Sequence, residues 1–525
     1  MKKTLTAFLL LFSVCLSQAQ TKVFKEVGED IQSQVKPIYQ DNSLVGYVVF
    51  TQLEKASADS FNYKITLMDE NLNDIGVVKF KELKLVLYGV TFEQDVLCLA
   101  YLKSNFFFKE FNTRKDYKEA KENEKTSIMT QFLGLDGKII KSNTINVQVK
   151  TEYGGKVAHK SFMGAGTLKK VHLRNIPGKG FALLYGDEQK NTLVAYNTAG
   201  NQIWTKPVKI FEGATLANMQ AANQYIYVLV KNKPNRRNGD MDMGGYEVQG
   251  FHIGDSASPF KHTLKDKEGN SLSITAFGND PVTGALHVSG GIIDSRKGND
   301  YLTPKHFARG AWAGLYTSTI NGPKKNDITD VYSYWNNESQ SLFSRKGRNL
   351  ESNTYCWYDG SYRDYSGNTV FFGTSYVKKP KIGSIVATVV TLPTVFIPIY
   401  ISFFGYNKNR IDNTVLIKQN PKGTLSVDGS VEGDKGSFAP NKLGWVFDTR
   451  SYMVAGNAET KNIYLIISDK KNFFIHSMNA KKVIRTIPRK DGNSYTYIYP
   501  AKEGHIMVSE YNRKERATTV SIEAL

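Results

Sequence analysis

Cysteine is almost missing from this chain. Cys15, Cys98 and Cys356 are the whole complement of 525 residues, and no two of them stand in a C-x-x-C spacing. That excludes a disulfide-built scaffold, a zinc knuckle and a dithiol redox site. Cys98 and Cys356 are then expected as small buried hydrophobes, or as one disulfide in an oxidising compartment. Proline is also scarce, 15 residues against 43 glycines, which excludes collagen-like and proline-rich extended chains. The eight histidines form no H-E-x-x-H pair, and neither G-x-S-x-G nor G-x-x-x-x-G-K-[ST] occurs. No metalloprotease, nucleophile-elbow or phosphate-loop chemistry is therefore announced in the linear sequence. Acidic side chains are in deficit, 49 against 68 Lys and Arg, a formal charge of +19. What is there, 41% hydrophobic and 12% aromatic residues with 22% charged, suffices for a large folded core.

The first residues read as an address rather than as structure. Met1, Lys2 and Lys3 precede an apolar run over residues 5–16, and Ser17, Gln18 and Ala19 follow. A charged start, a short apolar stretch and a small-residue cleavage site predict an export signal over residues 1–19, removed on secretion. Val14 occupies the place where lipid attachment at Cys15 would want a small residue, so cleavage is favoured over a lipid anchor. The Gln18-Ala19-Gln20 ending resembles the export signals of Bacteroidetes proteins, a likeness of origin only, while the export signal itself predicts the periplasm, the cell surface or the extracellular space. Loss of Lys2 and Lys3 leaves 66 basic and 49 acidic residues, a formal +17.

The organising signal is a recurrent hairpin, in which a β-branched or aromatic run meets an Asp, Asn or Gly turn and a second alternating run. KITLMDENLNDIGVVKF, TQFLGLDGKIIKSNTI, TLVAYNTAGNQIWTKPV and TVLIKQNPKGTLSVDGSV are instances. Each is preceded by two further apolar strands, which makes four per unit. The clearest unit is KKVHLRNI, KGFALLYG, NTLVAYN and NQIWTKPV. Repeated four-stranded antiparallel units predict an all-β fold, a β-propeller. The template lays units near 35–80, 83–146, 168–207, 212–265, 272–335, 354–430, 443–487 and from 493. That is eight blades, with seven as the alternative count. The last unit is one strand short, and a strand over residues 22–27 is expected to complete it and close the ring. Two β-sandwich domains are the competing architecture; the propeller reading makes residues 20–525 one domain.

NTLVAYNTAGNQIW resembles the PQQ-type propeller repeat, whose last two strands carry a comparable turn and terminal Trp. Asn197 stands where that repeat has Asp, and Ala199 intervenes before Gly200. The resemblance therefore implies the fold and no cofactor.

In this register the joints between second and third strands are the variable ones. Residues 103–126, 232–245, 292–310 and 377–411 are long, and residues 187–190 short. In propellers these joints and the links between blades leave one face, and loops on a rigid scaffold are where binding resides. The four insertions, 92 residues together, carry 19 basic and 9 acidic side chains, +10 of the expected +17. Such a face favours acidic partners, an acidic membrane surface, an acidic glycan or a protein, and no nucleic acid is expected. Residues 382–406 contain no charge. They are long enough to span a bilayer as a helix, but a closed ring forbids a crossing, and Pro393 and Pro398 interrupt helix. A hairpin with arms over residues 388–392 and 394–402 is expected, either inserting shallowly into a membrane or folding back as core. Its apolar residues Phe396, Phe403 and Phe404, the flanking Lys378, Lys379, Lys381, Lys408 and Arg410, and the loop cations Arg236 and Arg237 form the candidate binding set.

Other constellations read as structure. Asp69 to Asn73 begins like a calcium loop, but Asp74 stands where the turn glycine belongs and Phe80 where the closing Glu should be, so a hairpin turn is expected. No metal site is expected at Asp240/Asp242 or Asp428/Asp434. KEFNTRKDYKEAKENEK predicts a short solvated helix. Tyr355, Trp357, Tyr358, Asp359, Tyr362 and Arg363 form the densest aromatic and charged cluster, placed by the register at the joint of first and second strands, a secondary candidate for stacking on sugars. These features point to an exported binding or scaffold propeller rather than an enzyme. The rival is a glycan hydrolase or lyase with its site in the central channel.

Overall fold

The computed structural model describes residues 20–25, 32–40, 43–57, 60–106, 110–148, 156–157, 161–163, 169–187, 190–212, 214–232, 241–242, 244–254, 258–293, 301–302, 310, 312–336, 341–380, 407–433, 435–438 and 450–525. The export signal expected over residues 1–19 lies outside them. So do Arg236, Arg237, Lys381, Phe396, Phe403 and Phe404. Apart from one helix, Arg114–Glu122, and a single 3-10 turn, Lys325–Asp327, the regular elements described are strands.

Which strands lie inside is written in their polarity. Gly180–Gly186 and Leu286–Ile293 are buried along their whole length, and Asn191–Asn197 is buried between its ends. The outermost strands alternate instead, as in Gln202–Pro207, which ends the same sheet as Gly180–Gly186, and in Ile139–Asn146, which ends the seven-stranded sheet. A continuous apolar run suits a strand covered on both faces, and alternation suits a strand at the rim.

The sheets are built from consecutive antiparallel strands. Lys169–Ile176, Gly180–Gly186, Asn191–Asn197 and Gln202–Pro207 form one, residue for residue close to the unit read from the sequence. Thr215–Ala222 opens the next, then Ala276–Asn279, Tyr355–Arg363, Ser451–Asn457 and Ser494–Pro500 open theirs. The seven-stranded sheet is two such units sharing Asp74–Glu93. The first half of that strand pairs with Ser60–Asp69 and the second half with Val96–Ser104.

The opening strands stand side by side from one unit to the next, and the apolar cores lie between units rather than within one sheet. One cluster joins Phe132 and Cys98 to Phe181 and Tyr196, and another joins Tyr227 and Leu229 to Leu286 and Tyr316. Radially packed four-stranded sheets with their first strands around a common axis are a β-propeller. Gln20–Lys25 pairs with the last strand, Ala517–Ala524, two residues earlier than the strand expected there. Leu44, Tyr47 and Val49 of the first sheet pack on Met507, Val520 and Ile522 of the last. Cys98 and Cys356 are free thiols, both buried, so the hydrophobe reading is right and the disulfide is not.

One placement needs correcting. The aromatic and charged cluster is not a joint: residues 355–363 are the opening strand of their unit, and the turn follows at residues 364–368. Asp359-Gly360 resembles turn chemistry in sequence. Here Gly360 serves a bulge opposite Gly373 and Phe372, where an added Cβ would stand 2.4 Å from the Phe372 ring.

Candidate functional site

Antiparallel pairing fixes two ends for every unit. The joints of first with second strands lie at one end, and those of second with third lie at the other, together with the links between units.

At the second end two insertions pair with each other and two with the links between units. Glu110–Phe111, inside the 103–126 insertion, pairs with Ser161–Met163 in the following inter-unit link. Met241–Asp242 in the 232–245 insertion pairs with Tyr301–Leu302 in the 292–310 insertion. Gly436–Phe438 pairs with Asn409, Arg410 and Ile411 at the root of the fourth. There the ladder of Thr369–Pro380 with Asn407–Gln419 runs out to Lys378↔Asn409, Lys379↔Lys408 and Pro380↔Asn407, so residues 381–406 join the tips of a paired hairpin. Arg410 is half-buried, and its Nη2 lies 3.2 Å from Asp412 Oδ2. The helix in the first insertion is the solvated one expected. Thr113 caps it by accepting from Asp116 N–H at 3.1 Å, and Tyr117 is its buried residue. Tyr117 packs with Phe106, Phe111 and Leu102 as a small satellite core, with ring centroids 5.4–5.8 Å apart.

The opposite end holds a cavity of about 680 Å³ on the axis. Its walls are the last residues of the opening strands and the first of their neighbours, so every unit contributes. Leu173, Arg174, Asn175, Gln220, Gly278, Asn279, His287, Ser361, Tyr362 and Arg363 form one side. Tyr39, Leu44, Val90, Thr91, Val454, Ala455, Ile463, Pro500, Ala501 and Glu503 form most of the rest. The first group is polar and cationic, and the second mostly apolar.

The polar side is braced from behind. Asp280, 2% exposed, accepts from the N–H groups of Val282 and Thr283 with Oδ1, and its Oδ2 lies 2.5 Å from Arg363 Nε. His287 is buried, with Nε2 3.4 Å from Thr369 Oγ1 and no partner on Nδ1 among the described residues. Burial, and after it the Arg363 cation, lower its pKa to about 4 against the pull of Asp280, so the ring is neutral near pH 7. Ser361 Oγ stands 2.7 Å from both Thr275 Oγ1 and Ser289 Oγ. Arg174 donates to the Leu173 carbonyl at 3.0 Å, and no described carboxylate pairs with it; burial lowers its pKa.

The secondary cluster is thereby divided. Trp357 and Tyr358 are core, Trp357 lying 5.4 Å from the Trp312 ring, and Tyr355 packs against the same cluster. Asp359 points to a buried polar group: Thr374 Oγ1 donates to its Oδ2 at 3.3 Å, and the Tyr452 hydroxyl lies 3.1 Å from Thr374 Oγ1 and 3.2 Å from Thr414 Oγ1. Burial raises the Asp359 carboxyl to about 7, moderated by those hydrogen bonds and by Arg450. Only Tyr362 and Arg363 reach the cavity. Arg174, His287 and Asp280 escaped the sequence reading because no local motif marks them: Asp280 and His287 belong to one hairpin, and the Arg174 and Arg363 that share their wall lie on other sheets. The calcium-like Asp69 loop is a turn in which Asp69 accepts from Asn71 N–H, Asn73 N–H and Asn73 Nδ2. Asp428 is paired with Lys418 and Lys481. No group of three metal-ligating side chains occurs among the described residues, and no described helix is long and apolar enough to cross a membrane.

No protein-family model matches the chain, and no curated protein does. Among solved structures it is similar to the Dos1 propeller, at 8% identity and a TM-score of 0.42 over 97% of this chain and 95% of that one. It is also similar to the WD40 domain of SCAP from fission yeast, at 7% identity and a TM-score of 0.35 over 94% and 98%. A third is the polysaccharide lyase Uly1, at 10% identity and a TM-score of 0.34 over 95% and 90%. Likenesses this distant add nothing to the sheet topology and say nothing of function.

Proposed function

We propose that this chain is an exported, single-domain propeller of eight blades that works as a binding or scaffold module. Its ring closes through Gln20–Lys25, and it docks through the end that carries the insertions. The observation that carries the reading is the cross-pairing of insertions at that end. Two of them pair with each other and two with inter-unit links, which supports reading the four insertions, 92 residues with a charge of +10, as one docking surface. Lys378, Lys379, Lys381, Lys408, Arg410 and the Arg236/Arg237 loop draw in an acidic membrane surface, and the arm over residues 395–404 is buried in it.

Co-sedimentation with phosphatidylglycerol vesicles tests this. The protein without residues 1–19 should pellet with them and be released by salt, and Phe396→Ser with Phe403→Ser and Phe404→Ser should abolish pelleting while leaving the thermal midpoint in place. Pelleting that survives the triple change overturns the reading, and a lost midpoint would make the arm core.

A second reading, a glycan-acting enzyme, has in its favour a channel walled by Arg174, His287, Tyr362 and Arg363 rather than by apolar groups alone. Against it, Glu503 is the single carboxylate among the described residues of the lining, and Asp280 behind that lining is tied to Arg363, whereas glycoside hydrolysis ordinarily uses two. Binding without chemistry is therefore favoured.

A further inference from the structure

The axial cavity is far from the insertions and plays no part in the docking just proposed. Its two walls differ in chemistry. Arg174 and Arg363 stand on one wall, with Asn175, Asn279 and Gln220 between them, and the facing wall is built from Leu44, Val454, Ala455, Ile463, Pro500 and Ala501. The two cations are not equivalent. Arg363 is held through Nε by the buried Asp280, a carboxylate fixed in turn by two backbone N–H groups. Among the described residues Arg174 has one hydrogen bond, to the neighbouring Leu173 carbonyl, and no carboxylate paired with it.

A guanidinium taken partly out of water without a counter-charge is costly, and folds keep such groups where a ligand supplies the missing charge. Guanidinium forks match planar carboxylates with two parallel hydrogen bonds. A pocket with a few convergent polar groups on an otherwise apolar wall is the ordinary form of a small-molecule site. His287 is neutral here and adds no positive charge; it offers an unpartnered ring nitrogen on the same wall.

We propose that the cavity binds a small organic acid with an apolar body, its anionic group held by Arg174 and Arg363 and its body lying against Leu44, Val454, Ala455, Ile463 and Pro500. Glu503 is the acidic side chain in the lining and stands among the apolar group, so it favours one orientation, with the anion at the guanidinium wall.

The test is a fluorescence titration with 8-anilinonaphthalene-1-sulfonate, an anion on an apolar body, competed by octanoate and by 1-octanol. One saturable site is expected, displaced by octanoate and not by equimolar octanol. Arg174→Met should weaken it tenfold or more, and Ala455→Trp, which fills the apolar wall, should abolish it, with the far-ultraviolet spectrum of each variant unchanged. The triple phenylalanine change at residues 396, 403 and 404 should leave the titration as it was, which separates this site from the docking surface. Absence of binding, equal displacement by octanol, or undiminished affinity in folded Arg174→Met or Ala455→Trp overturns the proposal.

Discussion

The two ends of the propeller are made by opposite means. At the cavity end the joints are a few residues long and are locked by side chains that mimic backbone. Asp280, Asp364 and Asn457 each accept N–H groups two to four positions ahead, and Gly180 closes its hairpin at φ +143°. At the other end long insertions pair with each other or with inter-unit links, and one of them carries a satellite core around Tyr117. The difference teaches where rigidity is spent. Short Asx-type turns fix the strand ends that wall the cavity, so side chains from distant sheets converge to a defined shape. The insertions are free to differ because the strands beneath them are set elsewhere.

If that contrast is right, damage at the cavity end spreads and damage at the insertion end stays local. The largest effect is expected from Gly180→Ala. A Cβ there would lie 2.1 Å from the Tyr196 carbonyl oxygen, in a backbone conformation L side chains rarely adopt. Urea unfolding should show a loss of about 3 kcal/mol; a shift of the midpoint too small to measure would break the comparison.

Asp359 probes the interior beneath the insertions. Its folded pKa, about 7, lies above the value of a free aspartate, so the folded state holds a proton that the unfolded chain releases. This group's contribution to stability is therefore full below about pH 4, falls as pH rises towards 7 and is constant above that. Asp359→Asn should cancel the dependence, gaining on the order of 2 kcal/mol over the parent at pH 8 and little at pH 4. Equal changes at the two pH values would mean that the carboxyl is ionised throughout.

The smallest effect is expected from Thr113→Ala, which removes the cap of the insertion helix. It should cost about 1 kcal/mol of that helix, seen as faster amide exchange over residues 114–122, with the global midpoint unmoved. A falling midpoint would show that the insertion braces the ring.

Legibility followed the same division. The 169–207 unit could be read almost strand for strand, because each strand's polarity is decided by its own burial and each turn by Asp, Asn or Gly at the joint. The shared strand Asp74–Glu93 was divided in the reading into the end of one unit and the start of the next. No residue in it breaks, and only packing shows that one strand serves two sheets. Tyr355–Arg363 lies in a strand and not at the joint where the register set it, and its Gly360 lets Phe372 approach.

The amino-acid order by itself determined the all-β class, the four-stranded unit, the long joints and their charge, since each depends on neighbours within a few tens of residues. Tertiary structure alone decided that Arg174, His287 and Arg363 share a wall, that Asp359 is buried beside Tyr452, and that separate insertions pair. Those contacts join residues on different sheets, and a ring brings them together through packing between units, for which no local pattern of residues is required.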